Sequence, residues 1–244
     1  MRDRVDSIRE VRQKTGAIDI VTDVDLLSEQ QVREIVHAAF PTHTIVGEEG
    51  GARIGSDPRY RWLVDPLDGT TNYAHGFPFF CVSVALEVDG ELVLGVVHAP
   101  QLDELFVAER GAGATLNGRP IQVSSTTELP ESLLATGFPY QRGLFERAFR
   151  SFEVLSRRAQ AVRRAGSAAL DLCYVACGRF DGYWEHSVKS WDLAAGVLLV
   201  TEAGGRVTRV DGSAFSIDCG EVLSSNGTIH ELIAAALEEA KLPA

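Results

Sequence analysis

The chain has 244 residues, 45% hydrophobic and 23% charged, an ordinary globular balance long enough for one large domain or two small ones. A formal net charge of −11 argues against a nucleic-acid surface, which carries a basic stripe, yet clustered carboxylates can bind divalent cations that then attract phosphate. No apolar run reaches the roughly 18 residues of a membrane span, and the polar start at Arg2, Asp3 and Arg4 lacks the apolar core of a signal peptide. A soluble cytoplasmic protein that meets neither membrane nor nucleic acid is expected.

In chain order, Val5, Ile8 and Val11 recur every three residues and predict a short amphipathic helix. Ile18 to Val21 is apolar and β-branched. From about Asp23 to Phe40 the pattern predicts a helix with Leu27, Val32, Ile35, Val36 and Phe40 on one side, stopped by Pro41. Thr44 to Val46 predicts a strand leading into Gly47-Glu48-Glu49-Gly50, and residues 49–60, rich in Gly, Arg and Pro, read as a loop. Trp62-Leu63-Val64 predicts a short strand that delivers Asp65 to its end, where Pro66 breaks the ladder. Phe80 to Val97 reads as a hairpin turning at Asp89-Gly90, and a second hairpin turns at Asn117-Gly118, so residues 62–123 are expected to be mostly antiparallel sheet.

Beyond about residue 125 strands alternate with helices. Strands are predicted at Leu133–Thr136, Val162, Tyr183–Glu185 and Val222–Ser224. Helices are predicted over 144–158, Ser167–Cys177, Asp192–Ala203 and 228–241, two of them closed by Gly178 and by Gly204-Gly205. This alternation argues for a parallel or mixed sheet. Cys81, Cys173, Cys177 and Cys219 form no CxxC pair, so free thiols are expected rather than zinc.

The most informative segment runs from Trp62 to Asn72. Asp65 and Asp68 flank a proline-constrained turn; hard divalent cations want oxygen ligands, and a carboxylate can bridge two of them. Gly69 frees the backbone so that amides at 69 and 70 can point at an anion, and the Thr70 hydroxyl can position or deprotonate a water. Asp, Pro and Gly are also ordinary turn residues, but a buried strand ending in two acids is costly unless something pairs with them. The pair Glu48-Glu49 reads most simply as a solvated surface pair, although the strand before it allows one glutamate to point inward. Asp192 sits where a helix begins and can cap it; Ala194, Ala195 and Gly196 suggest a helix end pressed against a site. Arg163-Arg164-Ala165-Gly166-Ser167-Ala168-Ala169 opens a helix whose amides can hold substrate hydroxyls or phosphate, or simply packs tightly. Asp23 and Asp25, near Asp19 and Thr22, can cap or charge-match a helix start. No GxGxxG after a strand, no GxSxG and no Walker A sequence occurs, which argues against nucleotide cofactors and serine hydrolysis.

Taken in order, these segments resemble the inositol monophosphatase family from about Lys14 to the last helix, with Asp65–Asn72 and Trp191-Asp192 as the two signature regions. The resemblance implies an α+β fold: a layered α-β-α-β-α sandwich of the sugar-phosphatase type, antiparallel sheet in the N-terminal part and mixed or parallel sheet in the C-terminal part, usually as a homodimer. It implies Mg²⁺-dependent, lithium-sensitive hydrolysis of a phosphate monoester with two or three ions per site. Residue by residue, it implies that Glu48, Asp65 and the Leu67 carbonyl hold one ion, and that Asp65, Asp68 and Asp192 hold a second. Gly69 and Thr70 then match the phosphate-binding amides, and Thr70, Asp25 and Glu48 the groups that serve the attacking water, with Lys14 nearby. Glu185 matches a contact to substrate hydroxyls, beside Gly166, Ser167 and Ala168. Because Glu185 suits a polyol, inositol monophosphate is the first substrate expected. The alternatives are histidinol phosphate, fructose 1,6-bisphosphate, a nucleotide 3′-phosphate, or a regulatory binding role on the same fold. The family pattern has a longer helix ahead of Lys14, where thirteen residues stand here. On this reading residues 1–125 form an α+β subdomain with the metal-binding motifs, and 126–244 an α/β subdomain that completes the site.

Overall fold

A computed structural model of the chain describes residues 11–16, 19–139 and 142–241. The first elements are a short antiparallel pair, β1 (Val11–Gly16) and β2 (Asp19–Thr22), followed by α1 (Asp23–Ala39). Of the helix expected at the N-terminus only Val11 lies within the described residues, and it opens β1. The start of α1 is set by a reciprocal cap: the Thr22 hydroxyl accepts the Val24 amide at 3.2 Å, and the Asp25 carboxylate accepts the Thr22 amide at 2.8 Å.

The chain then builds an eight-stranded sheet from β3 (His43–Gly47), β4 (Gly51–Arg53), β5 (Asp57–Asp68), β6 (Cys81–Val88), β7 (Glu91–Ala99), β8 (Glu104–Glu109), β9 (Gly113–Leu116) and β10 (Arg119–Pro120), with the five-residue α2 (Thr70–Ala74) between β5 and β6. The order is β10-β9-β8-β7-β6-β5-β3-β4, antiparallel except for the β3–β5 pair. Residues 49–60, expected to be a loop, instead hold β4 and the first residues of β5. Both expected hairpin turns form with left-handed backbone at their two central positions, Asp89 at φ 52° with Gly90 at 84°, and Asn117 at φ 50° with Gly118 at 74°. That geometry matches the twist of the flanking strands.

A second sheet follows, of β11 (Leu133–Thr136), β12 (Ala161–Arg163), β13 (Gly182–His186), β14 (Arg206–Thr208) and β15 (Glu221–Ser225), interleaved with α3 (Arg142–Ser156), α4 (Ala168–Ala176) and α5 (Ser190–Glu202) and closed by α6 (His230–Glu239). Its order is β12-β11-β13-β15-β14, with β11 parallel to both neighbours and the rest antiparallel.

Strand alternation explains the layering. On the first sheet Ile45, Trp62 and Val64 pack with Val36 of α1, while Leu63, Ala85, Val97 and Phe106 pack with α4 and α5 on the other face. On the second sheet Ala135, Tyr183 and Val222 meet the same two helices, and Leu134, Trp184 and Leu223 turn outward to Leu155 of α3 and Ile233 of α6. The result is the α-β-α-β-α sandwich. α5 is buried continuously from Leu193 to Val200, as a helix held between two sheets must be. It comes close because its partners are small: a Cβ on Gly95 would fall 2.8 Å from the Ala195 carbonyl, and one on Gly196 2.5 Å from Leu172.

Candidate active site

The strand that carries the two signature aspartates does not end at Asp65. β5 runs on through Pro66 to Asp68, and its pairing with β6 slips: Asp65 faces Ser83, whereas Asp68 faces Cys81. Three steps along β5 therefore match two along β6, a one-residue bulge that the missing Pro66 amide accommodates. In a regular strand residues three apart point to opposite faces. The bulge restores the parity, so Asp65 and Asp68 share the face that meets α4 and α5, the face on which the Ser83 hydroxyl donates to the Trp191 carbonyl at 3.3 Å.

Both aspartates line a cavity of about 420 Å³ between the middle helices and the two sheets. The same cavity is lined by Glu48 just past β3, Gly69 and Thr70 at the start of α2, Gly166 to Ala168 at the start of α4, Glu185 on β13 and Asp192 on α5. Of the residues singled out from the sequence, Asp25 stands one layer behind, and Lys14 lies on β1 with its side chain outside the described residues.

Backbone amides and hydroxyls fix several of these acids. Asp65 Oδ1 accepts the Leu67 amide at 3.0 Å. Asp68 Oδ2 accepts the Ser167 hydroxyl at 2.6 Å and the Ala169 amide at 2.7 Å, so the N-cap serine of α4 also orients a carboxylate. Asp192 sits at the third position of α5, not its first, and accepts the Lys189 amide at 2.8 Å; it closes the helix start and lines the cavity together. The Thr70 hydroxyl lies 3.0 Å from Asp25 Oδ1 and 2.9 Å from the Leu67 carbonyl, and Asp25 Oδ2 accepts the Thr22 hydroxyl at 2.5 Å. Gly69, at φ 89°, has no room for a side chain, since a Cβ would fall 2.8 Å from the Phe79 carbonyl.

The electrostatics follow from burial and crowding. Asp65, 2% exposed, is held well above the ordinary carboxylate range by burial and then by the charges of Glu48, Asp68 and Asp192. Asp192 is raised by burial and by Asp68, against the Lys189 amide. Asp68 is raised to about 6 by burial, restrained by its bonds from Ser167 and Ala169. A set of buried oxygen donors that destabilise one another's charge suits a hard divalent cation, which would remove the repulsion and take oxygen ligands. Among the described residues no group of three or more Asp, Glu, His or Cys side chains is already gathered to grip an ion. The fit therefore rests on the chemistry of the donors and on their shared cavity.

The opposite wall holds Glu185, which the resemblance had singled out, beside Gly137 and Asp171, which the sequence did not. Glu185 accepts the Tyr183 hydroxyl at 2.5 Å and is raised to about 7 by burial, against that bond and the Arg164 charge. It lies against Gly137, where a Cβ would fall 2.0 Å from its carboxylate. Asp171, 1% exposed on α4, also lines the cavity, and its Oδ1 has no hydrogen-bond partner. Burial, then Glu185 and Asp68, push it well above the ordinary range, with Arg164 opposing. Asp171 falls three residues after Ala168 and so on the same helix face, the one signal that could have found it.

A layered sandwich with a pocket of buried acids at the junction of its sheets and middle helices is the framework of a phosphoric monoester hydrolase. The chain belongs to the inositol monophosphatase family, whose sequence profile matches residues 2–242. It is 45% identical to an inositol-1-monophosphatase of Synechocystis over 94% of this chain and 80% of that protein. It is 43% identical to the Nus factor SuhB of Pasteurella multocida over 91% of this chain and 83% of that one. A solved inositol monophosphatase from Anabaena superposes with a TM-score of 0.85 at 50% identity, covering 88% of this chain and 86% of the other.

Proposed function

We propose that this phosphatase hydrolyses a small phosphate monoester, inositol monophosphate first, with Mg²⁺ held by the acid cluster, and that it does so as a cytoplasmic homodimer. The observation that carries the reading is the β5 bulge, which turns Asp65 and Asp68 into one cavity with Glu48 and Asp192. No helix among the described residues is long and apolar enough to cross a membrane.

In this reading Glu48, Asp65 and the Leu67 carbonyl would hold one Mg²⁺, and Asp65, Asp68 and Asp192 would hold a second, in a site that would take two or three ions. Bound there, Mg²⁺ supplies the positive charge that phosphoryl transfer requires and lowers the pKa of water. The residues supply position. The Thr70 hydroxyl has one hydrogen and two neighbours that accept it, Asp25 and the Leu67 carbonyl, so it can take a proton from a water and pass its own to Asp25. Gly69 and Thr70 present backbone amides to the phosphate. Glu185 and the Gly166–Ala168 turn, on the opposite wall, contact the hydroxyls of the departing alcohol. With its proton affinity near neutrality, Glu185 can accept from or donate to those hydroxyls.

Phosphate release from inositol 1-phosphate, histidinol phosphate, fructose 1,6-bisphosphate and a nucleotide 3′-phosphate, with Mg²⁺ and with chelator, tests the proposal. Mg²⁺-dependent release led by inositol 1-phosphate is expected. A folded protein that binds Mg²⁺ and releases phosphate from none of them would overturn it. The likeness to the Nus factor SuhB favours a second reading, a regulatory binding protein on the same fold. Capture of the same partner by the parent and by Asp65→Asn would support that reading.

A further inference from the structure

Glu29 is 3% exposed, yet it does not line the cavity. It projects from α1 into the turn between β3 and β4 that carries Glu48. Its Oε2 accepts the Glu49 amide at 2.7 Å and its Oε1 the Gly50 amide at 2.7 Å. Arg33, one helical turn on, donates Nε to the same Oε1 at 2.6 Å and bonds the Gly51 carbonyl. The turn is thus held through consecutive amides and a carbonyl by one ion pair on α1, while the Glu48 amide itself is tied to the Val64 carbonyl of β5 at 3.2 Å.

The glycines of the turn support the same account. Gly51 adopts φ 63°, which calls for glycine. Gly47 and Gly50 have no positive φ; their need is clearance, because a Cβ at either would fall 2.6 or 2.7 Å from the Glu29 carboxylate. Spacing along α1 extends the pattern. Asp25, Ser28 and Glu29 stand at i, i+3 and i+4 on one face. They reach the Thr70 hydroxyl at 3.0 Å, the Pro66 carbonyl at 3.0 Å and the Glu49–Gly50 amides. One helix face thereby gauges the three backbone segments that carry Thr70, Asp65 and Glu48.

We propose that Glu29 is a positioning residue: from α1 its carboxylate sets the Gly47–Gly51 turn so that Glu48 is presented to the cavity ready for a cation. The proposal rests on Glu48 being a metal ligand. Glu29→Gln keeps the volume but replaces one acceptor oxygen by an amide nitrogen that faces a donor, and leaves Arg33 without its counter-charge.

Calorimetric titration of the metal-free full-length chain with Mg²⁺, beside the Mg²⁺ concentration that half-saturates phosphate release, reads the effect. Glu29→Gln should weaken Mg²⁺ binding and raise half-saturation about tenfold, with kcat at saturating Mg²⁺ within about twofold. The Glu49 and Gly50 amides should exchange hydrogen faster in the metal-free variant. Gly50→Ala, which displaces the carboxylate and keeps its charge, should weaken Mg²⁺ binding in the same direction, and it decides the matter if Glu29→Gln does not fold. Glu48→Gln is titrated alongside. Weakened binding in Glu48→Gln but parent-like binding in folded Glu29→Gln would overturn the positioning role alone. Parent-like binding in Glu48→Gln would overturn the ligand reading beneath it, and the role of Glu29 with it.

Discussion

On the β5 side of the cavity, Asp68 is gripped by the Ser167 hydroxyl and the Ala169 amide, and behind it Asp25 is gripped by Thr22 and Thr70. On the α4–β13 side, Glu185 takes one hydrogen from Tyr183, and Asp171 Oδ1 takes none. Burial raises the acids of both walls, but donors restrain Asp68 to about 6 while Asp171 has only the charge of Arg164 against it. A carboxylate surrounded by donors is preorganised to be charged and immobile, as a cation ligand needs; one without them is stored as a neutral acid. The two walls of the pocket thus differ in how many donors hold their acids: Asp68 has two, and Asp171 Oδ1 has none.

The sharpest way to break this contrast is Asp65→Asn. On the proposed reading it removes the carboxylate shared by two ions, and phosphate release at saturating Mg²⁺ should fall at least about a hundredfold. Because Asp65 is destabilised by burial and by three neighbouring acids, the metal-free variant should melt no lower than the parent. Near-parent turnover, or a variant that unfolds, would erase the distinction between ligand and scaffold on this wall.

Next in size is the pH response of stability. Glu185 is raised from near 4.5 to about 7 and Asp68 from near 3.8 to about 6, so over those intervals the folded chain binds more protons than the unfolded one. Stability then falls as pH rises through them. His186 and His230 act oppositely: both are lowered from 6.5 to about 4 by burial, and their contribution is lost as pH falls through that range. Above about pH 6.5 the histidines drop out and the acids alone set the slope. Melting followed in chelator should fall on the order of 3 °C between about pH 6.5 and 8. Saturating Mg²⁺ should flatten or reverse that fall, since the cation binds the ionised carboxylates. A chelated protein whose melting temperature rises over this interval would mean that the buried acids are ionised in the folded chain.

The two walls also differ in how far they could be read from sequence. Asp65, Asp68, Gly69 and Thr70 lie within six residues, and their side-chain chemistry identifies the segment. The sequence nevertheless predicts a strand that ends at Asp65 before Pro66, because the bulge exists only in the register between β5 and β6. The hairpins at Asp89-Gly90 and Asn117-Gly118 were legible since their turns are two-residue, local and glycine-dependent. Glu48 is ambiguous in the sequence because the turn that carries it is held by Glu29, 20 and 21 residues from the amides it bonds. Gly137 leaves no local mark, being defined by clearance for Glu185, and Asp171 leaves only its three-residue spacing from Ala168.

The finest discrimination comes from Asp171→Asn. If the far wall stores a neutral acid there, the amide replaces one uncharged polar group by another of the same shape, and kcat/KM at pH 7 should stay within about twofold of the parent. Melting should be unchanged or slightly higher, because a group disfavoured by burial and by Glu185 and Asp68 can no longer ionise. An ionised Asp171 bearing on Arg164 would behave otherwise. Losing that charge would free the Arg164 guanidinium in the cavity and cost at least about tenfold in kcat/KM. Measured beside Asp68→Asn, which strips a carboxylate of its charge where the Ser167 and Ala169 donors are aimed at it, the pair separates the walls by one atom-for-atom change. A severe loss in Asp68→Asn with near-parent behaviour in Asp171→Asn assigns the charge to the β5 side. Equal losses would mean that Asp171 belongs to the cation-binding set.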